Sequence, residues 1–320
     1  MGEGFLLISI MLDLSPFFVQ KMAGVFHHLP MPSRSPLCLV LLVFLILPIG
    51  IIPAKAADPI ANDLERQIER YVKSLRARGA IRGYERTAWV VCDLTTGKKL
   101  VSINENTRLQ AASMIKPYLA LAFFHQVSAG KLVYGPTSRR HMELMIQKSN
   151  NQSTNWVMQK TGGPAATARL LRTHYPELCR GMRLVEYIPN NGRTYRNLGC
   201  ASGHANFLVR LWKKRLPYSS EMLRLMGLPG TDRLYTRARK VPQGTKVFNK
   251  TGSTAMCCGD MGILVVKGKD GRSYPYILVG VIESGVRNGS SYSRWISSRA
   301  NVIREVSNIT YLSIKDRYNL

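Results

Sequence analysis

The stretch "LQAASMIKPYLALAFF", residues 109–124, sets a serine and a lysine three positions apart at the head of a long apolar run. The run reads as a buried helix, on which Ser113 and Lys116 lie one turn apart on the same face. Burying an ammonium group is unfavourable unless it finds partners or can lose its proton. The rest of the chain has to supply one of the two.

The segments around this helix divide into strands at both ends of the chain and helices between. Upstream, "DPIANDLERQIERYVKSLRARG" (58–79) carries Ile60, Leu64, Ile68, Tyr71 and Leu75 at helical spacing with charge between them, an amphipathic surface helix. "RTAWVVCDLTTGKKLVSIN" (86–104) is two β-rich runs joined by a Thr-Thr-Gly-Lys turn, the pattern of a hairpin. Helical signals follow over 113–129, 137–148, 152–161, 164–174 and 201–216, broken by an irregular loop at 175–199. Strands are predicted over 245–252, 259–268 and 274–284, and a closing helix over 290–308. The expected fold is α+β: a five-stranded antiparallel sheet flanked by the terminal helices, plus an all-helical lobe that meets the sheet in a cleft.

Composition narrows the setting. The chain has 320 residues, and 45 Lys+Arg against 19 Asp+Glu give a formal net charge of +26, which favours polyanionic surroundings. No zinc finger, RNA-binding aromatic motif or glycine-rich phosphate loop is present, and the basic residues are scattered, so nucleic acid is not expected as a partner. An anionic cell-wall or membrane surface fits the charge better. Residues 36–53, "PLCLVLLVFLILPIGIIP", follow Arg34 and precede "AKAADP", an export leader with a small-residue cleavage site at Ala54-Lys55-Ala56. Residues 1–56 are thus read as a signal peptide or an uncleaved N-terminal membrane segment, and 57–320 as the folded domain, periplasmic or secreted. Outside the leader stand Cys92, Cys179, Cys200, Cys257 and Cys258, an odd number. Cys179 and Cys200 bracket a loop and suit either a bridge or two buried thiols, while the vicinal Cys257-Cys258 is expected to rim the site or bridge elsewhere.

S-x-x-K alone carries little information, and a second copy stands at 128–131. Order and context carry more: S-x-x-K opening a helix (Ser113, Lys116), S-N-N between helices (Ser149, Asn151), and K-T-G on a predicted strand (Lys250, Thr251, Gly252). With these motifs the chain resembles the penicillin-recognising serine hydrolases, and most of all the class A β-lactamases. "SNNQSTNWVMQKTGGP" (149–164) is the strongest local match, because Asn155 and the Thr-Gly-Gly-Pro after it fall in the same pattern. The resemblance runs from about Thr87 to Arg304.

It implies an acyl-serine mechanism without a metal or other cofactor. Ser113 is the nucleophile and Lys116, once neutral, its base. Ser149 passes a proton to the leaving nitrogen, and Asn151 holds Lys116 and the substrate amide. Lys250 and Thr251 bind the substrate carboxylate, Gly252 leaves room for the acyl group, and the Ser253 backbone N–H completes the oxyanion site. His125, His141, His174 and His204 lack metal-ligand spacing.

Two departures from the class A pattern stand out. That pattern sets the glutamate that activates the deacylating water directly before a proline, but here Pro189 follows Ile188, and the nearest acid is Glu186, taken as the candidate base. Only 36 residues separate Ser113 from Ser149, so the lobe over the cleft is trimmed. The expected substrate is a β-lactam. A D-alanyl-D-alanine carboxypeptidase or transpeptidase acting on peptidoglycan stem peptide, and a non-catalytic cell-wall binding protein, are the alternatives.

Overall fold

The computed structural model describes residues 59–189, 195–287 and 291–320; the expected leader, residues 1–56, lies outside them. The chain opens with α1 (Pro59–Ala77), whose Leu64, Ile68 and Leu75 are buried as the helical spacing requires. The hairpin follows as β1 (Glu85–Asp93) and β2 (Lys99–Ile103). The last three strands are β5 (Lys246–Ser253), β6 (Cys257–Lys267) and β7 (Ser273–Ser284), after the two-residue pair β3 (Leu109–Gln110) and β4 (Leu198–Gly199). The five long strands form one antiparallel sheet in the order β2-β1-β7-β6-β5. Its three inner strands are buried almost end to end because both faces are covered, and β2 and β5 are the edges.

Alternation along β1 separates the two cores. Trp89 and Val91 face α1 and the closing helix α8 (Tyr292–Tyr318), together with Leu278 and Ile303. Val90 faces the helical lobe, with Ile263, Val279 and Phe207. Gly280 lies opposite Trp89, and a Cβ there would come within 2.4 Å of the indole, so the tryptophan fits only over a glycine.

The lobe comprises α2 (Lys116–Ser128), α3 (Pro136–Ile146), α4 (Asn151–Lys160), α5 (Gly163–His174), α6 (Ala201–Trp212) and α7 (Ser219–Met226). Helix α2 is buried from Lys116 to Phe124 and forms the centre of the lobe. Three local expectations change. The helix read from 113 begins as a 3-10 turn over Ala112–Ile115, and α-helical geometry starts at Lys116. Helix α7 stands in a segment after Pro217 where no element was expected. Helix α8 runs ten residues past the expected end, because Tyr311 and Ile314 bury against the sheet and the Tyr318 hydroxyl donates to Asp93 Oδ2. No helix among the described residues is long and apolar enough to cross a membrane.

The cysteines take the unbridged alternative. All five are buried free thiols, and Cys200 Sγ instead donates to Arg180 O (3.1 Å) and accepts from Gly203 N (3.4 Å), capping α6. Cys257 and Cys258 do not rim the cleft: they are adjacent on β6 and so enter opposite cores.

Candidate active site

The backbone delivers the serine and lysine from a strained turn. Ala112, just before Ser113, has φ +44°, a left-handed conformation in which a side chain crowds the backbone. The neighbouring strand holds it there. A Cβ on Gly252 of β5 would lie 3.0–3.1 Å from Met114 Cγ, Ala111 O and Ala112 Cβ. Gly252 therefore lets the strand approach the Ser113 turn closely. The β3–β4 pair and the Ala111 N–H bond to Asn197 O (2.9 Å) tie the same turn to the end of the 175–199 loop. Ser113 is half-buried, with its backbone carbonyl accepting from Lys116 N.

Lys116 is fully buried, and its partners answer the question its sequence position raises. Nζ donates to Ser149 O (2.6 Å), Ser149 Oγ (3.1 Å) and Asn151 Oδ1 (3.0 Å). Ser149 sits in the turn between α3 and α4 at φ +55°, and Asn150 caps α4 by accepting from Ser153 N (2.7 Å). From β5, Lys250 Nζ also donates to Ser149 Oγ (3.1 Å) and to Thr251 O (3.1 Å). Ser149 Oγ thus accepts from two amines, which occupies both lone pairs and leaves its own hydrogen to be donated elsewhere. A leaving nitrogen can receive it.

Among the described residues no hydrogen bond joins Ser113 Oγ to Lys116 Nζ. As an ammonium Lys116 has three donors, and all three are used; loss of one proton frees a lone pair that the serine hydroxyl can reach only then. The environment favours that loss. Burial, and then the Lys250 charge, hold the Lys116 pKa well below the usual lysine value. Burial lowers Lys250 to about 8; Asp260 pulls upward and Arg233 adds to the lowering.

Arg233 and Asp260 belong to no motif and were not expected from sequence. The buried Arg233 guanidinium donates to Ser253 Oγ (2.6 Å) and Gly259 O (2.7 Å), and its backbone N–H donates to Asp260 Oδ2 (2.6 Å). Asn249 Nδ2 donates to the same carboxylate, which burial raises to about 6. Arg233 and Lys250 therefore give the far end of β5 a positive field suited to a substrate carboxylate. Lys250, Thr251 and Ser149 line a cavity of about 60 Å³ beside it.

Glu186, the candidate base, is engaged by the backbone of its own loop. Its Oε1 accepts from the backbone N–H groups of Tyr195 (3.2 Å) and Arg196 (3.0 Å), closing the loop on itself. Asn155 lies on α4, the catalytic helix that carries Asn151, and joins it to the loop: its amide donates to Ile188 O (2.7 Å) and accepts from Ile188 N (2.8 Å). The residue fixed there is apolar and 3% exposed.

A sequence model described as the beta-lactamase enzyme family matches residues 64–135 and 134–311. The chain belongs to the β-lactamase enzyme family. Its fold is shared by a mutant of PBP-A in acyl-enzyme complex with penicillin G (20% identity, 80% of this chain and 97% of that one, TM-score 0.61). It is shared also by PBP-A itself (20% identity, 79% and 96%, TM-score 0.62) and by the ancestral (GNCA) class A β-lactamase (21% identity, 78% and 99%, TM-score 0.61). No curated protein matches the sequence. By family the chain is a serine β-lactamase-like hydrolase.

The two lysines predict a bell-shaped pH profile for acylation of Ser113 by benzylpenicillin. The rate should rise with pH as Lys116 loses its proton, and fall above about pH 8 as Lys250 loses the charge that attracts the carboxylate. Arginine does not deprotonate in this range, so Lys250→Arg should abolish the alkaline limb; an unchanged limb would assign it to another group.

Proposed function

We propose that this chain is an exported acyl-serine hydrolase of peptidoglycan stem peptides ending in D-Ala-D-Ala, which penicillins acylate at the same serine and leave slowly. Ser113 attacks the amide carbonyl with Lys116 as base, and Ser149 hands its proton to the departing nitrogen. Asn151 orients the amide. Lys250, Thr251 and Arg233 attract the terminal carboxylate, and the backbone N–H of Ser253 stabilises the oxyanion. The leader read at residues 1–56 supports a site of action outside the cytoplasm, with the cationic surface against anionic wall or membrane.

The carrying observation is that Asn155 fixes Ile188, not an acid, at the point where the loop meets the catalytic helix, while Glu186 holds the loop's own backbone. A penicilloyl ester keeps its cleaved ring nitrogen attached, crowding the path by which water must enter. A peptide releases D-alanine and opens that path, so Lys116 and Ser149 can serve both steps. The same difference makes penicillin a long-lived adduct when no further base is present. The acyl-enzyme that the PBP-A mutant forms with penicillin G supports the same class of acyl donor here. Fast β-lactam hydrolysis with Glu186 as base is the second reading, favoured by the family match.

Intact mass after mixing with benzylpenicillin, beside turnover of a chromogenic cephalosporin, separates the two. A single penicilloyl adduct on Ser113 persisting for minutes is expected. Turnover on the order of 10 per second with no lasting adduct would establish the second reading instead. Neither adduct nor turnover would leave a wall-binding protein without catalysis.

A further inference from the structure

Residues of α3 and α4 line a groove of about 630 Å³. Its link to the reacting groups runs through α4. Asn150, next to the Asn151 that holds Lys116, lines one end, and Asn155, which holds Ile188, lines the wall. On the floor the His141 ring stacks on Trp156 (4.2 Å between centroids, 11° between planes), and His141 Nδ1 is 3.1 Å from Ser153 Oγ. Only a short connection joins α2 to α3, so no further lobe segment intervenes in sequence between the nucleophile helix and this groove.

Its chemistry is one-sided. Among the described residues no Asp or Glu lines it, whereas Arg140 does. Arg140 is exposed and has no carboxylate partner among the described residues, and neither has Lys148 at the entrance to the Ser149 turn. The acid nearest on the same helix, Glu143, is tied to Arg224 (2.7 Å). Apart from Leu144, the remaining lining side chains are amides, hydroxyls and rings, which suit a peptide backbone.

Position then sets a length. Arg140 sits beside His141, at the level of Ser153 and Trp156 on α4, which lie roughly 5 and 9 Å along the helix from Asn150. An extended peptide advances about 3.3 Å per residue. We propose that this groove is the acyl-side extension of the active site, and that Arg140 there receives a free carboxylate carried two or three residues before the scissile bond. The assignment rests on the stem-peptide reading above and specifies the charge such a peptide must carry.

Two peptides that differ in one group test it: acetyl-L-Ala-γ-D-Glu-L-Lys-D-Ala-D-Ala, and its counterpart with the glutamyl α-carboxylate amidated. Each competes with benzylpenicillin for Ser113, and the concentration that halves the acylation rate is measured by intact mass. The acid should compete about fivefold better than the amide in the wild type. The preference should vanish in Arg140→Ala and invert in Arg140→Glu, while benzylpenicillin alone acylates all three proteins equally. An equal acid-to-amide ratio in the three proteins overturns the groove assignment and leaves the stem-peptide reading standing. If neither peptide slows acylation at any concentration, both fall together.

Discussion

Replacing Lys116 with methionine should slow the acylation of Ser113 by benzylpenicillin about a thousandfold while the protein stays folded. A positioned general base contributes roughly a hundred- to ten-thousandfold, and Lys116 is the amine one turn from the nucleophile. Stability is expected to change little because two terms oppose. Ser149 O and Asn151 Oδ1 each lose a donor, at about 1–3 kcal/mol apiece. Against this, the variant no longer buries an amine, whose desolvation, and then its repulsion by Lys250, hold the Lys116 pKa down. Methionine also fills nearly the same volume. The rate is read from the penicilloyl mass increment over time and the fold from a thermal melt. Wild-type acylation in a folded Lys116→Met protein would remove the amine from the mechanism and with it the account of why a lysine is buried there.

The sequence made part of this site legible because three motifs are local. Ser113 and Lys116 are fixed by a single turn, Ser149 and Asn151 by one helix entry, and Lys250 to Ser253 by strand geometry. Each can be read within a few residues, and the strand and helix periods around them gave the sheet and lobe. What escaped depends on contacts between distant segments. Arg233 comes from the connection between α7 and β5 and acts on Ser253 only because the chain folds back over the strand end. Asn155 was noticed as part of the matching stretch, but its bonds to Ile188 cross 33 residues and carry no local pattern. The vicinal cysteines are a different case. A strand placed at 259–268 left them outside it, whereas β6 begins at Cys257, and the two-residue period then sends their side chains to opposite faces. The signal was present and the boundary hid it. Ala112 is a third kind: its left-handed backbone is imposed by Gly252 and Met114 packing, and no propensity of alanine announces it.

Ile188→Glu should shorten the life of the penicilloyl adduct at least a hundredfold without changing the rate at which it forms. Asn155 grips residue 188 through its backbone N–H and C=O, so the position is set whatever side chain the residue carries. The isoleucine is 3% exposed, and a carboxyl group introduced there is desolvated, which raises its pKa and makes it a stronger base toward water. Burying it in place of an alkyl group costs a few kcal/mol, so the melt of the variant should fall, and the kinetic comparison is made below its midpoint. Ile188→Gln supplies the control: it has the same shape and burial but no proton acceptor of comparable strength, and its adduct should persist as in the wild type. Both variants leave Ser113, Lys116, Ser149 and Lys250 untouched, so acylation, read from the first mass spectra of each time course, should match. The partition between the two steps then tests whether the missing base accounts for the long-lived adduct proposed for this chain. Equal adduct lifetimes in folded Ile188→Glu and Ile188→Gln proteins would mean that residue 188 does not address the acyl carbonyl, and would return the search for a deacylating group to Glu186 and its hold on Tyr195 and Arg196.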